Sequence, residues 1–172
     1  MIVGIIGSGG REHAICSSIK ESKNVNKIYC FPGNAGTYDL ATNIEIDVSD
    51  FDKIRNHVLT KNIDLLIVGP EKPLVDGIVD FFKNDKVKIF GPNQLASQLE
   101  GSKIFTKNLC KKFNIPTAKF GIFQNSNESK KFLKESKYPI VIKADGLASG
   151  KGVYICEDQN YAFNAIDEIF NG

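Results

Sequence analysis

Residues 1 to 13 read Met-Ile-Val-Gly-Ile-Ile-Gly-Ser-Gly-Gly-Arg-Glu-His. Ile2 to Ile6 is a short apolar run stopped by Gly7, and the segment from Arg11 to about Lys20 carries helix-forming residues with Ala14, Ile15 and Ile19 on one side. The pattern predicts a strand, a tight glycine turn and a helix. Two later stretches repeat the strand signal: Lys27 to Phe31, closed by Pro32-Gly33-Asn34-Ala35-Gly36, and Asp64 to Val68, ended by Gly69-Pro70. The second of these is nearly continuous in apolar residues, as a strand covered on both faces requires. Ile44 to Val48 is predicted as a shorter strand, followed by a helix with Ser49 as N-cap and Phe51, Ile54 and Val58 as its apolar stripe. Leu74, Ile78, Val79 and Phe82 recur at helical spacing, and Val87 to Phe90 offers another strand before Gly91-Pro92. Such alternation predicts an α/β fold with a doubly wound, Rossmann-like parallel sheet, whose ligands lie outside the carboxyl ends of the strands.

Beyond residue 92 the texture changes. Gln94 to Phe113 contains no Pro and predicts one or two helices, halted by Ile115-Pro116. Lys119 to Phe123 reads as extended, Glu128 to Lys137 as a helix, Ile140 to Lys143 as a buried strand, Val153 to Cys156 as a strand and Gln159 to Phe170 as a helix. The expected division is 1–92 for the Rossmann-like domain, 93–115 for a helical connection, and 116–172 for the beginning of an α+β module. The length of 172 residues agrees, since about 150 residues make a typical domain.

Composition excludes several classes. With 22 Lys+Arg against 20 Asp+Glu, the net charge of +2 leaves no electrostatic footprint for nucleic acid. The lysines at 111, 112, 130, 131, 134 and 137 read as solvated helix faces. The four cysteines are widely spaced, which suggests free thiols in a reducing compartment and neither a zinc site nor a disulfide framework. No signal-peptide pattern and no apolar run of about 18 residues is visible, so the expectation is a cytoplasmic protein without membrane contact.

Three stretches carry chemistry. In Gly7 to His13, glycines let the backbone approach a phosphate while helix N-terminal N–H groups point at it. The dinucleotide fingerprint fails, because its third glycine position is Glu12 and no acid ends the second strand at Tyr29, Cys30 or Phe31. That leaves a nicotinamide oxidoreductase disfavoured, a tight turn without ligand as the plain alternative, and a smaller phosphorylated ligand as the better fit. Arg11 is placed to pair an anionic oxygen, and Glu12 to accept from a hydroxyl or amine. His13 and Cys16 stand three residues apart on this helix without an orienting third group, so they are read as no nucleophilic pair. Glu71, at the mouth of the next strand, is either a first-turn carboxylate or a group that holds the same ligand's hydroxyls or amine.

The third stretch runs from Ile140 to Val153. A strand delivers Lys143, and Gly146, Gly150 and Gly152 form a loop bearing Ser149 and Lys151 before the next strand begins. The spacing is not that of a Walker A loop. A strand-borne lysine beneath a glycine-rich hairpin offers loop amides and a cation to a nucleotide triphosphate; a mobile hairpin without ligand is the plain alternative.

Gly-Ser-Gly-Gly-Arg-Glu-His, Pro-Gly-Asn-Ala-Gly-Thr at 32–37, Val-Gly-Pro-Glu with Pro-Leu-Val at 68–75, Phe-Gly-Pro at 90–92, Leu-Glu-Gly-Ser-Lys at 99–103 and Ile-Lys-Ala-Asp-Gly-Leu-Ala-Ser-Gly-Lys-Gly-Val occur in that order. Together they resemble the glycinamide ribonucleotide synthetases, the phosphoribosylamine–glycine ligases of purine biosynthesis within the ATP-grasp superfamily. The resemblance implies ATP contacts at Lys103, Lys143, Gly146, Ser149, Gly150, Lys151 and Gly152, and phosphoribosylamine contacts at Gly9, Gly10, Arg11, Glu12 and Glu71. It implies ATP with Mg²⁺ or Mn²⁺, glycine and 5-phosphoribosylamine as small-molecule partners, and a monomer for the full-length protein. It also implies metal ligands beyond Gly172, no catalytic residue within these 172 positions, and a fragment inactive alone. Another ATP-grasp carboxylate–amine ligase, or a non-catalytic phosphate-binding module, remains as the alternative reading.

Overall fold

A computed structural model describes residues 1–147 and 151–171. The chain divides into two units, Met1–Gly101 and Ser102–Gly172.

The first unit contains, in chain order, β1 (Ile2–Gly7), α1 (Gly10–Lys20), β2 (Lys27–Pro32), β3 (Thr42–Asn43), α2 (Phe51–Thr60), β4 (Leu65–Val68), α3 (Glu71–Val75), α4 (Ile78–Phe81), β5 (Lys88–Phe90) and α5 (Gln94–Gly101). The five strands form one sheet in the order β3-β2-β1-β4-β5, and every pairing is parallel. Val3 to Gly7 are all buried, because β1 is the central strand with helices on both faces. Ile6, Phe31 and Leu66 pack on one face against Ile54 and Val58 of α2 and Ile78 of α4. Val3, Ile5, Ile28 and Cys30 pack on the other against Cys16 of α1. The chain leaves β1 toward β2 and β3, then returns to lay β4 on the opposite side, which makes the β1/β4 junction the point where strand order reverses. Register places Gly7 opposite Pro32 and Ile6 opposite Val68, so the turns after β1, β2 and β4 emerge at one edge.

Local details depart from the sequence expectations. Residues 44–48 form no strand; only Thr42 and Asn43 pair with β2, and the Ile44 N–H adds one further bond to Cys30 O at 2.8 Å. Pro32 carries no N–H to extend the ladder, and Ile44, Ile46 and Val48 instead pack into the core. Asp50 rather than Ser49 caps α2, accepting from Lys53 N at 3.1 Å, while Ser49 turns its hydroxyl to Asp47. The helical run through residues 74–82 is broken in two at Gly77, whose φ of +96° no other residue type adopts readily.

The second unit contains α6 (Lys103–Lys112), α7 (Ser126–Lys134), β6 (Ile140–Lys143), β7 (Val153–Cys156) and α8 (Gln159–Asn171). β6 and β7 are antiparallel, with Lys143 opposite Val153. One face of this hairpin, with Ile142 and Cys156 as its most buried residues, packs with Leu133 of α7 and Ala162, Ala165 and Ile166 of α8. The other face carries Val141, Lys143, Val153 and Ile155, all exposed, so β6 is covered on one side only and not buried as its apolar run suggested. The extended segment 119–123 has no ladder partner among the described residues. No helix among the described residues is long and apolar enough to cross a membrane.

Candidate functional site

The anticipated site residues fall into two groups, one in each unit. In the first, the turn after β1 and the start of α3 line a cleft of about 380 Å³ formed by Gly7 to Glu12, Val48, Pro70 and Glu71. It opens at the β1/β4 reversal, where an open parallel sheet binds its ligands. Gly9 and Gly10 are exposed at the N-terminus of α1, which directs N–H groups outward with the positive end of the helix dipole. Arg11 donates from Nη1 to the Gly69 carbonyl and from Nη2 to Glu71 Oε1 at 2.9 Å. The side chains of Arg11 and Glu71 remain 57% and 44% exposed, so both charges can reach a ligand. The Arg11 hydrogen bond holds the Glu71 carboxyl below the usual carboxylate range, and Glu71 in turn raises the guanidinium. Glu71 is therefore anionic throughout the physiological range.

Glu12 takes a different position from its neighbours. It is only 3% exposed, and its Oε2 accepts from the Gly9 N–H at 2.5 Å. Its carboxyl lies in a slot between Gly7 and Gly69: a Cβ on Gly69 would stand 1.8 Å from Oε1, and one on Gly7 would stand 2.6 Å from Cδ. The carboxylate thus braces the turn from beneath while Arg11 and Glu71 present the accessible charge.

The loop after β2 is tied to this turn by residues whose role was not legible beforehand. Asn34 Nδ2 donates to Ser8 O at 2.8 Å and Gly9 O at 3.1 Å. Its Oδ1 accepts from the Gly36 and Thr37 N–H groups. Buried Thr37 donates to Asn43 Oδ1 at 2.8 Å, and Asn43 Nδ2 donates back to Asn34 O at 2.9 Å. Asn34 and Thr37 belong to the quoted 32–37 motif, but nothing local in the sequence joins them to Ser8 or Asn43. His13 and Cys16 do not form a pair: His13 is exposed, whereas Cys16 is buried with its Sγ 3.3 Å from that of Cys30. Desolvation raises both thiols, which makes them poor nucleophiles. All four cysteines are free.

The second group gathers at the root of the β6–β7 hairpin. Lys103, the first residue of α6, donates from Nζ to Gly146 O at 2.9 Å. Lys143 ends β6 on its exposed face, and the Ala144 N–H to Gly152 O bond of 2.8 Å continues the ladder one step into the loop. Gly146 and Gly152 have φ of +89° and +75°, values that glycine alone adopts without strain. Lys151 is exposed. Ser149 and Gly150 lie outside the described residues. Among the described residues no three His, Cys, Asp or Glu side chains converge as a metal-binding group.

Comparison with known proteins assigns both groups to one family. The model of the phosphoribosylglycinamide synthetase N domain matches residues 1–100, and that of the ATP-grasp (A) domain of the same synthetase matches residues 101–172. The chain belongs to the phosphoribosylglycinamide synthetase family. A phosphoribosylamine–glycine ligase of Clostridium acetobutylicum is 50% identical over 173 residues, covering 98% of this chain and 42% of the relative. One of Caldanaerobacter subterraneus is 50% identical over 167 residues, covering 97% and 40%. The crystal structure of the Thermotoga maritima phosphoribosylamine–glycine ligase matches with a TM-score of 0.77 at 31% identity, over 100% of this chain and 41% of that one. The biotin carboxylase domain of a Hydrogenobacter thermophilus 2-oxoglutarate carboxylase reaches 0.76 at 18% identity, over 99% and 40% of the two chains, a likeness of fold. The chain therefore spans about two fifths of the length of these synthetase relatives.

Proposed function

We propose that this chain supplies the phosphoribosylamine cleft and the phosphate-covering hairpin of an ATP-dependent ligase that joins glycine to 5-phosphoribosylamine in purine biosynthesis. In that reaction ATP transfers its γ-phosphoryl group to the glycine carboxylate, giving glycyl phosphate and ADP. The amine of phosphoribosylamine then attacks the acyl carbon, and phosphate leaves as the amide of glycinamide ribonucleotide forms. No protein nucleophile is needed; the barrier falls through positioning and neutralisation of phosphate charge.

Each residue has a part in this reading. The Gly9 and Gly10 amides and Arg11 take the 5-phosphate, Glu71 takes a ribose hydroxyl or the amine, and Glu12 keeps the turn in shape. Lys103 and Lys143 neutralise the ATP phosphates at the root of the glycine-rich loop, and Ser149, Gly150 and Lys151 are the further donors that the loop's sequence offers. The reaction class also calls for Mg²⁺ or Mn²⁺ on the triphosphate, but the described residues do not fit a metal site, so no step is assigned to a metal. Support for the reading comes above all from the Arg11–Glu71 pair beside exposed N-terminal amides at the reversal of strand order.

Thermal denaturation with ribose 5-phosphate, a stable mimic of the phosphoribosyl group, tests it. At 100 times its dissociation constant a ligand confined to the native state adds about 2.7 kcal/mol. The expected result is a rise of several degrees in Tm that ribose alone does not give and Arg11→Ala removes. Equal shifts with ribose and ribose 5-phosphate, or no shift, would overturn the assignment of the cleft.

A further inference from the structure

Two motifs 43 residues apart in sequence meet through a side chain that has no role in the reading above. Asp145 follows β6 at the start of the loop, and its carboxylate reaches the first turn of α6. Ser102 Oγ lies 3.0 and 3.2 Å from the two carboxylate oxygens, and the Ile104 N–H donates to Oδ1 at 3.1 Å. Ser102 is at the same time the N-cap of α6, its Oγ accepting from the Phe105 N–H at 3.0 Å. Lys103 closes the circuit by donating to the carbonyl of Gly146, the residue next to Asp145. Ser102, Lys103, Asp145 and Gly146 thus form a ring of hydrogen bonds between helix start and loop root. A carboxylate accepts from several donors at once, and its charge favours the N-terminal end of a helix. Burial works against that charge, yet the Ile104 N–H, the Ser102 hydroxyl and the Gly146 and Lys103 N–H groups prevail and hold the carboxyl below its ordinary range.

We infer that Asp145 is a positioning residue that fixes Lys103 and the root of the glycine-rich loop as one unit, so that the lysine ammonium meets a nucleotide's phosphates in a set geometry. The inference rests on the reading of Lys103 and this loop as phosphate ligands. A plain helix cap would need only the local serine. The second cap arrives from the loop itself, and the lysine that follows the serine returns to that loop. Phosphate binding then requires Lys103 Nζ to exchange the Gly146 carbonyl for a phosphate oxygen, with its backbone anchor unchanged.

Hydrogen exchange and Mg-ATP titration of the 172-residue chain test the proposal with Asp145→Asn, Ser102→Ala and Lys103→Met. Hydrogen bonds to a charged group contribute roughly tenfold or more in an equilibrium constant. Asp145→Asn is expected to speed exchange at Ile104 and Gly146 about tenfold, with α7 and α8 still protected, and to weaken Mg-ATP binding about tenfold. Ser102→Ala, which removes one bond of the ring, shifts both readouts the same way by less. Lys103→Met costs less affinity in the Asp145→Asn background than in the unaltered chain. Unchanged exchange at Ile104 and Gly146, or an Mg-ATP affinity that falls with Lys103→Met but not with Asp145→Asn, overturns the positioning role. If Lys103→Met and Mg-ATP leave residues 103–153 unaffected, the nucleotide reading of the loop fails instead, and the exchange rates still decide whether Asp145 couples helix to loop.

Discussion

Building a Cβ on Gly69 would place it 1.8 Å from Glu12 Oε1 and 2.7 Å from Glu12 Cδ, far inside any real contact. Gly69 does not have positive φ, so alanine is barred there by the glutamate and not by the backbone. The prediction is specific: Gly69→Ala lowers stability by about 1–3 kcal/mol, the usual range for overpacking. Adding Glu12→Ala recovers part of that loss in urea denaturation, because the clash disappears with the carboxylate. Strictly additive effects of the two substitutions would show that the slot is not what excludes a side chain. This residue also marks how far sequence reading reached. The turn chemistry at two strand ends singles out Arg11, Glu12 and Glu71 as candidates, and the structure brings all three to one cleft. Their division of labour was not. A buried brace and an exposed pair of charges differ only in what lies across from them, and Gly69 is 57 positions from Glu12. Asn34, Thr37 and Asn43 escaped for the same reason, since their bonds to one another and to Ser8 depend on the sheet having formed.

The strands and helices legible in the sequence are those whose signal is periodic and self-contained. β1, β2 and β4 announce themselves as apolar runs closed by glycine or proline, and their parallel pairing follows from the helices between them. Residues 44–48 and 119–123 have equally strand-like composition, yet neither acquires a ladder among the described residues, because a strand needs a neighbour and sequence does not name one. Caps behave likewise. Ser49 and Asp50 are both good caps in principle, and the choice between them is set by where the chain turns. At α7 the assignment is unambiguous: Asn125 Oδ1 accepts from the Glu128 N–H at 2.9 Å, and its carbonyl accepts from Ser129 Oγ. Asn125→Ala is expected to cost about 1 kcal/mol and Asn125→Asp almost nothing, read from chemical denaturation of the chain. A loss with Asp as large as that with Ala would mean that the cap bond contributes little and that another feature of Asn125 matters.

At the scale of the whole molecule, the chain is two units, each with one candidate site. The parallel sheet of Met1–Gly101 ends in the cleft proposed above for a sugar phosphate, and the hairpin of Ser102–Gly172 leads into the loop proposed for a polyphosphate. The first unit buries Ile6, Phe31 and Leu66 on one face of its sheet and Val3, Ile5 and Cys30 on the other, and the second unit buries Leu133, Ile142 and Ile166. A ligand stabilises the elements that hold it, through mass action on their local opening. The two ligands should therefore leave separate footprints in hydrogen exchange. Ribose 5-phosphate is expected to slow exchange at Gly9, Gly10 and residues 34–37, whose N–H groups line or support the turn, and to leave residues 103–153 at their original rates. Mg-ATP is expected to slow Lys103, Ile104 and the hairpin around Lys143 and Gly152, and to leave α1 unchanged. Protection of the hairpin by ribose 5-phosphate, or of the β1–α1 turn by Mg-ATP, would reverse the assignment of ligands to units. It would do so without disturbing the family membership, because both units carry the family's sequence whichever phosphate each receives.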